Sequence, residues 1–129
     1  MDSLNKDFVI SVLRRMRKSM GTRATDNTIE NYARQVLSLK KLDLSNDMCY
    51  PRQLLDALCT KYRNASTIVN IIRPVATFLG NLTSEEFTNL NQNVEKDNVL
   101  EQYVEVLKEV NAIKIKQMTH RVDSYKQVT

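Results

Sequence analysis

The residue types that carry out catalysis or bind metals are few in this chain of 129 residues, and they are poorly placed for either role. The single histidine, His120, lies near the C-terminal end, and we interpret it as a solvated side chain. Cys49 and Cys59 are ten residues apart with no histidine nearby, so a zinc site would lack ligands. The two glycines, Gly21 and Gly80, form no phosphate-binding loop. The sequence therefore predicts no catalytic residue, no metal site and no cofactor.

Carboxylates are the other residues to consider for catalysis, as acid–base pairs. Glu85 and Glu86 lie at a predicted helix start, and Glu101, Glu105 and Glu109 repeat every four residues further on. Such spacing is typical of a solvated helix face. We therefore expect that the chain is not an enzyme and has no small-molecule substrate.

Small hydroxyl residues open two amphipathic helix patterns, and this arrangement favours contact with an anion. Thr25 and Thr28 stand at the start of the first pattern, and Ser66 and Thr67 stand at the start of the second. The first amides of a helix have no partner within it, and together with hydroxyls they suit phosphate oxygens. The alternative is that these residues are simply helix caps.

Cationic and amide side chains follow on the polar faces of the same two helices. Asn31, Arg34 and Gln35 lie on one helix, and Asn70 and Arg73 lie on the other. Side chains of these types bond to base edges, and lysines and arginines neutralise phosphates. The alternative is that they are exposed to solvent without a ligand.

Charge is distributed unevenly along the chain, whose net charge is +4. Residues 1–41 contain nine Lys or Arg and four Asp or Glu, whereas residues 81–129 contain six and eight. A basic N-terminal third favours a polyanion as partner, and an acidic C-terminal segment does not. The sequence thus predicts a polyanion such as a nucleic acid as the partner, with plain solvation of a helix face as the alternative.

Composition favours helices and an intracellular location. Only two Gly and two Pro occur beside many Leu, Val, Ile, Lys and Glu, so we expect an all-α fold. Two cysteines form no disulfide framework and are predicted to be reduced thiols. No charged-then-apolar leader opens the chain, and no apolar run approaches the roughly 20 residues of a membrane span. We expect a soluble protein of the cytoplasm or nucleus, without a membrane partner.

Apolar residues that recur at three- and four-residue spacing predict the first two helices. The first covers residues 4–20 and ends at Gly21. The second begins at a cap, either Thr25 or Asp26. Their expected core-facing residues are Phe8, Val9, Val12, Leu13, Met16 and Met20, then Ile29, Tyr32, Ala33, Val36 and Leu37.

The middle of the chain predicts a loop and two further helices. Residues 43–50 are expected to be a loop, and Pro51 suits the first turn of a third helix. Cys59 is expected to join the core beside the leucines of that helix. Asn64 or Ser66 is the predicted cap of a fourth helix.

From the fourth helix onward, the sequence predicts a kink and then a long helix near the C-terminal end. Pro74 lies inside the fourth pattern and predicts a kink near Asn70. Thr83 and Glu86 have the spacing of a capping box, and a long helix follows from about Asp97. The apolar seam of that helix is Val99, Tyr103, Val106, Val110 and Ile113. We expect this seam to pack on its own domain, with a coiled coil or homodimer as the alternative.

Three short motifs occur in order along the chain. They are Thr25-x-x-Thr28-Ile29-x-x-Tyr32, then Leu54-Leu55-x-x-Leu58, then Ala65-Ser66-Thr67-Ile68 continuing to Phe78. In this order, over about residues 5–82, the chain resembles the N-terminal core-binding domain of tyrosine recombinases (phage-type integrases). The resemblance implies a SAM-like bundle of four or five helices. We therefore expect a core-binding-like domain over residues 1–92 and, over 93–129, a C-terminal helix that packs on it or mediates association.

The resemblance also implies which residues contact DNA. In the family, the second and fourth helices approach DNA while a catalytic domain binds the opposite face. The contacts implied by position are Thr25, Thr28, Arg34, Lys41, Ser66, Thr67, Asn70 and Arg73. Basic residues of the first helix complete the predicted DNA-binding set, and they are Arg14, Arg15 and Lys18.

The catalytic residues of that family are missing from this chain. The family's catalytic domain contains His-x-x-Arg and a nucleophilic Tyr, but His120 is followed at that spacing by Asp123, and Tyr125 is not expected to be a nucleophile. We predict a non-catalytic DNA-binding domain of the kind used in DNA recombination and integration, and the many Asn and Lys suggest a virus or mobile element. It is either the N-terminal part of a longer recombinase or a small protein without the chemistry. The alternative is a protein–protein interaction module that uses the C-terminal helix.

Overall fold

The computed structural model describes residues 4–20 and 25–128, with side chains described for 4–16 and 25–117. Within these ranges the chain contains six α-helices, one short 3₁₀-helix and no strand. The α-helices are α1 (Lys6–Met20), α2 (Asp26–Lys41), α3 (Pro51–Lys61), α4 (Ala65–Gly80), α5 (Ser84–Leu90) and α6 (Lys96–Val128), and the 3₁₀-helix is Ser45–Cys49. The predicted all-α fold with a long C-terminal helix is confirmed.

Helix α4 lies at the centre of the fold because most of its surface is apolar. Nine of its 16 residues are buried, which is more than a single core-facing stripe supplies. Such a helix must be covered from several sides, and α2 and α6 pack along it while α1 and α3 complete the cover. The rings of Phe8 on α1 and Phe78 on α4 meet edge to face, with 6.1 Å between their centroids.

Helices α1 and α2 form an antiparallel pair. The ammonium of Lys40, near the end of α2, donates to the backbone oxygen of Leu4, just before α1, at 3.1 Å. The apolar stripe predicted for α1 is confirmed as far as side chains are described, since Val9, Val12 and Leu13 are fully buried. Met20 lies outside the residues whose side chains are described.

Helix caps follow the local sequence closely. The Oγ1 of Thr25 accepts from the amide of Thr28 at 3.2 Å, so Thr25 rather than Asp26 caps α2. Asn64 rather than Ser66 caps α4. The capping box of α5 is also confirmed, because Thr83 accepts from the amide of Glu86 at 3.1 Å and Glu86 accepts from the amide of Thr83 at 2.8 Å.

The seam of α6 packs within the chain, as expected. Val99, Tyr103, Val106 and Val110 are each at most 1% exposed, whereas Ile113 at the end of the seam is 47% exposed. The four buried residues belong to the same core as those of the other helices. At the start of α6, the ammonium of Lys96 donates to the backbone oxygen of Leu82 at 2.5 Å, which fixes the connection from α5.

The segment predicted as a loop contains the 3₁₀-helix. Met48 and Cys49 at its end are buried, and the hydroxyl of Tyr103 donates to the backbone oxygen of Met48. This bond satisfies the phenol inside the core and fixes the segment against α6. The prediction of a loop over residues 43–50 was wrong at Ser45–Cys49. A turn of 3₁₀-helix there buries the apolar side chains of Met48 and Cys49.

The prediction for Cys59 was wrong, and the other cysteine is the buried one. Cys59 is exposed, although it was predicted to join the core, and Cys49 is buried. Leu54 and Leu58 already occupy the inward face of α3, and the next residue is turned about 100° away from it. Burial raises the pKa of the Cys49 thiol to about 11, so it remains protonated at neutral pH.

Pro74 lies inside α4, yet the helix continues unbroken from Ala65 to Gly80. Proline has no amide hydrogen, so the carbonyl four residues earlier, at Asn70, lacks its helical donor. Asn70 is exposed, which lets water supply that bond. The kink near Asn70 stays a prediction. None of the described helices is long and apolar enough to cross a membrane.

Candidate nucleic-acid interface

The outer face of α2 presents two of the predicted cations. Arg34 and Lys41 are exposed and are seven residues apart, which places them on one face two turns from each other. The opposite face of the helix is buried against the core through Ile29, Ala33, Val36 and Leu39. Within the described residues, neither cation has an ion pair or a side-chain hydrogen bond, so both charges are available to a ligand.

A cavity of about 270 Å³ lies beside these cations, between α2 and the start of α1. Its lining residues are Lys6, Glu30, Ala33, Arg34, Leu37, Ser38 and Lys41. Lys6 was missed by the sequence interpretation. The signal was present, since two helices joined by a short connection are antiparallel neighbours and the start of one then faces the end of the other.

The hydroxyls at the start of α2 are occupied by capping. The Oγ1 of Thr25 accepts from the amide of Thr28, and the two hydroxyl oxygens are 3.1 Å apart. Asp26 adds a carboxylate to the first turn, where it already interacts favourably with the helix dipole. A phosphate at this end would meet that carboxylate, so Thr25 and Thr28 are weaker candidates than Arg34 and Lys41.

The start of α4 is also satisfied within the chain. The amide of Ala65 donates to Oε1 of Gln117 on α6 at 3.1 Å, and the amide of Ser66 donates to Oδ1 of Asn64 at 2.8 Å. The amide of Thr67 bonds to the backbone oxygen of Asn64 at 3.1 Å. The amides that were expected to meet phosphate oxygens therefore have partners, and Ser66 and Thr67 are only half-exposed.

The polar face of α4 is open further along the helix. Asn70 and Arg73 are exposed and lie on the same face as Ser66, at four and seven residues from it. Within the described residues, Arg73 forms no ion pair. An exposed amide beside an exposed guanidinium is a combination that can bond to base edges as well as to phosphates.

The predicted cations of α1 have different surroundings. Arg14 is exposed, whereas Arg15 makes a bidentate ion pair with Glu86, with its two nitrogens 2.6 and 2.9 Å from the carboxylate oxygens. Arg15 also donates to the backbone oxygen of Asn81 at 2.8 Å. It thus joins α1 to α5, and its contact with DNA stays a prediction. The side chain of Lys18 lies outside the described residues.

Two carboxylates of α6 form ion pairs within the chain. Arg52 on α3 pairs with Glu109, and its other terminal nitrogen is 3.6 Å from Glu105. All three side chains are about half-exposed or more, so this is a surface link between α3 and α6. Among the described residues, no group of histidine, cysteine and carboxylate side chains could hold a metal ion.

The structure brings together only part of the predicted set. Arg34 and Lys41 line one cavity, and Asn70 and Arg73 share one face of α4. In the described part of the chain, no hydrogen bond or cavity joins the first pair to the second. No protein family, curated protein or solved structure matches this chain.

Proposed function

We propose that this chain is a non-catalytic DNA-binding domain that contacts duplex DNA through α2 and α4. The observation that carries the proposal is a division among its arginines. Arg15 and Arg52 form ion pairs with carboxylates of other helices, whereas Arg34 and Arg73 are exposed and form no ion pair within the described residues. An exposed cation without an ion-pair partner contributes the most to the free energy of phosphate binding, because no ion pair within the protein must be broken first.

The two helices would have different roles in such a complex. Arg34 and Lys41, beside their cavity, suit contacts to the phosphate backbone. Asn70 and Arg73 suit a groove, since an amide pairs with adenine and a guanidinium pairs with guanine. The resemblance to the core-binding domain of tyrosine recombinases supports this proposal, because there the second and fourth helices approach DNA.

Replacing Arg34 or Arg73 by glutamine is expected to weaken duplex binding about tenfold at low salt without lowering thermal stability. Each substitution removes one cation, so the slope of log affinity against log salt should also fall by about one. Fluorescence anisotropy with a labelled random duplex, titrated with salt, measures both quantities. A single-stranded probe of the same length reveals which form of DNA is preferred.

Arg52→Gln is the matched control, because it removes the same charge from an arginine that is already paired with carboxylates. It should change duplex affinity less than twofold. Wild-type protein without detectable affinity for duplex DNA at low salt would remove the proposal, as would equal effects of Arg52→Gln and Arg34→Gln.

Self-association through α6 is a second candidate, and it rests on a different observation. Val104 and Ile115 are 53% and 64% exposed, and their separation of eleven residues places them on one face of α6. Val106 and Val110 belong to the seam for which a homodimer was the alternative. They are buried inside the chain and are not part of that face. We propose a homodimer in which these exposed faces meet.

Joint replacement of Val104 and Ile115 by lysine is expected to convert a concentration-dependent dimer into a monomer. The introduced charges would repel each other across a symmetric contact, since the same face is used twice. Sedimentation velocity over a hundredfold range of concentration measures the change. A wild-type protein that stays monomeric throughout that range would rule out the homodimer.

A further inference from the structure

The cavity between α1 and α2 contains charges of both signs, and the cations are in the majority. Lys6, Arg34 and Lys41 contribute three positive charges and Glu30 contributes one negative charge. The three cations come from two helices and line the same cavity. The lining therefore has a surplus of two positive charges, which favours an anion of low charge.

The charges are also ordered along the cavity. Glu30 and Lys41 are eleven residues apart on α2, or about 16 Å along the helix axis. Lys6, at the start of α1, belongs to the Lys41 end, because the neighbouring Lys40 reaches the backbone of Leu4. One end of the cavity is thus cationic and the other carries the carboxylate.

The volume of the cavity and the hydrogen-bond donors that line it further limit the kind of ligand that it can bind. The volume of about 270 Å³ is below the usual range for small-molecule sites, roughly 300–1,000 Å³, and three of the seven lining residues are cations. The hydroxyl of Ser38 already donates to the backbone oxygen of Gln35 at 2.6 Å. The ammonium and guanidinium groups therefore remain as donors, and such groups bind phosphate oxygens.

We propose that the Lys6–Lys41 end of this cavity holds a single phosphate group, either from a nucleic-acid strand or from free phosphate. In the nucleic-acid case the inference rests on the proposed DNA-binding function and assigns one backbone phosphate to this position. Glu30 limits the site to one phosphate, because a second one further along the cavity would face a carboxylate.

Two substitutions with opposite expected effects test the site. Lys6→Gln removes a cation and should weaken binding of inorganic phosphate at least fivefold, whereas Glu30→Gln removes a repelling charge and should strengthen it about twofold to threefold. Lys108→Gln, on the exposed surface of α6, is the control and should change nothing. Amide chemical shifts in two-dimensional NMR, followed at constant ionic strength, measure phosphate binding and report whether each variant stays folded.

The same variants are then assayed with duplex DNA, and this arm separates the two sources of phosphate. If the strand supplies the phosphate, Lys6→Gln lowers the salt slope by about one and its effect is not additive with that of Lys41→Gln. If the source is free phosphate, Lys6→Gln weakens phosphate binding and leaves duplex binding at the level of the Lys108→Gln control.

The outcomes distinguish this site from the proposed function. Phosphate binding that depends on Lys6, in a protein that binds no duplex, would keep the site and remove the DNA-binding function. Duplex binding that depends on Arg34 and Arg73, with Lys6→Gln indistinguishable from Lys108→Gln in both assays, would overturn the site and keep the function.

Discussion

Replacing Val106 by asparagine is expected to destabilise the folded chain by about 3–4 kcal/mol. Val106 is 0% exposed on the face of α6 that packs on α4. The substitution removes buried methyl groups and puts an amide where it finds no designed partner, and both changes raise the free energy of the folded state. For a chain of this length, such a loss lowers Tm by about 10–15 °C. Thermal and urea unfolding followed by circular dichroism measure it.

Val104→Asn is the matched control, because it makes the same change two residues earlier on the same helix. Val104 is 53% exposed, so its replacement should alter stability by no more than about 0.5 kcal/mol. Equal Tm values for the two variants would contradict the packing of α6 described above. The contrast also separates a folding defect from any loss of self-association, since Val104 is exposed to another subunit and Val106 is not.

Replacing Glu86 by alanine is the second large effect, with an expected loss of about 2–3 kcal/mol at pH 7. The carboxylate serves two structures at once, the capping box of α5 and the bidentate pair with Arg15. Loss of the cap costs about 1 kcal/mol, and loss of a charged hydrogen bond costs about 1.5 kcal/mol or more. Because the side chain of Arg15 is 40% exposed, solvent screening keeps the ion-pair contribution at the low end.

The pH dependence of stability should identify the same carboxylate. The bond from Arg15 and the bond from the backbone of Thr83 lower the pKa of Glu86 from 4.5 to about 2. A carboxylate whose pKa is lower in the folded state than in the unfolded state stabilises the fold above the unfolded pKa. This contribution is therefore full above about pH 4.5 and is lost as the pH falls towards 2.

Two variants resolve the contributions of Glu86. Glu86→Gln retains the capping geometry, since Gln also serves in a capping box, but it removes the charge. The part of the stability loss between pH 4.5 and 2 that comes from protonation of Glu86 should therefore be absent in this variant. Glu85→Ala, at the exposed neighbouring position, should change stability by at most about 0.5 kcal/mol. If Glu86→Gln retains the full acid dependence of the wild type, the assignment to Glu86 is wrong.

The prediction of local structure succeeded where neighbours in sequence determine it. Thr25 caps α2 and Thr83 pairs with Glu86 because the two partners in each case are three residues apart. A capping residue needs only the next turn of the same helix, so its role can be predicted without the fold. The apolar seam of α6 was predicted for the same reason, from helical periodicity alone, and its residues from Val99 to Val110 are buried.

Prediction from the sequence did not reach contacts between distant residues. Arg15 bonds to Glu86, which is 71 residues away, and its assignment to DNA stays a prediction. Cys59 was placed in the core and Cys49 in a loop, and their observed positions follow from which face of α3 meets the other helices and from the burial of Met48 against α6. A polar-face cation in the sequence is equally compatible with an internal ion pair and with a ligand.

The candidate site likewise has features that neighbours in sequence determine and features that distant contacts determine. By itself the sequence determined that Arg34, Lys41, Asn70 and Arg73 lie on polar helix faces, because amphipathic spacing fixes which side of a helix is buried. Only the tertiary structure decided which charges remain available, since pairing depends on contacts between residues far apart in the chain. It occupied the amide of Ala65 with Gln117 of α6, and it brought Lys6 against the end of α2. That packing turned separate basic residues into one cationic cavity.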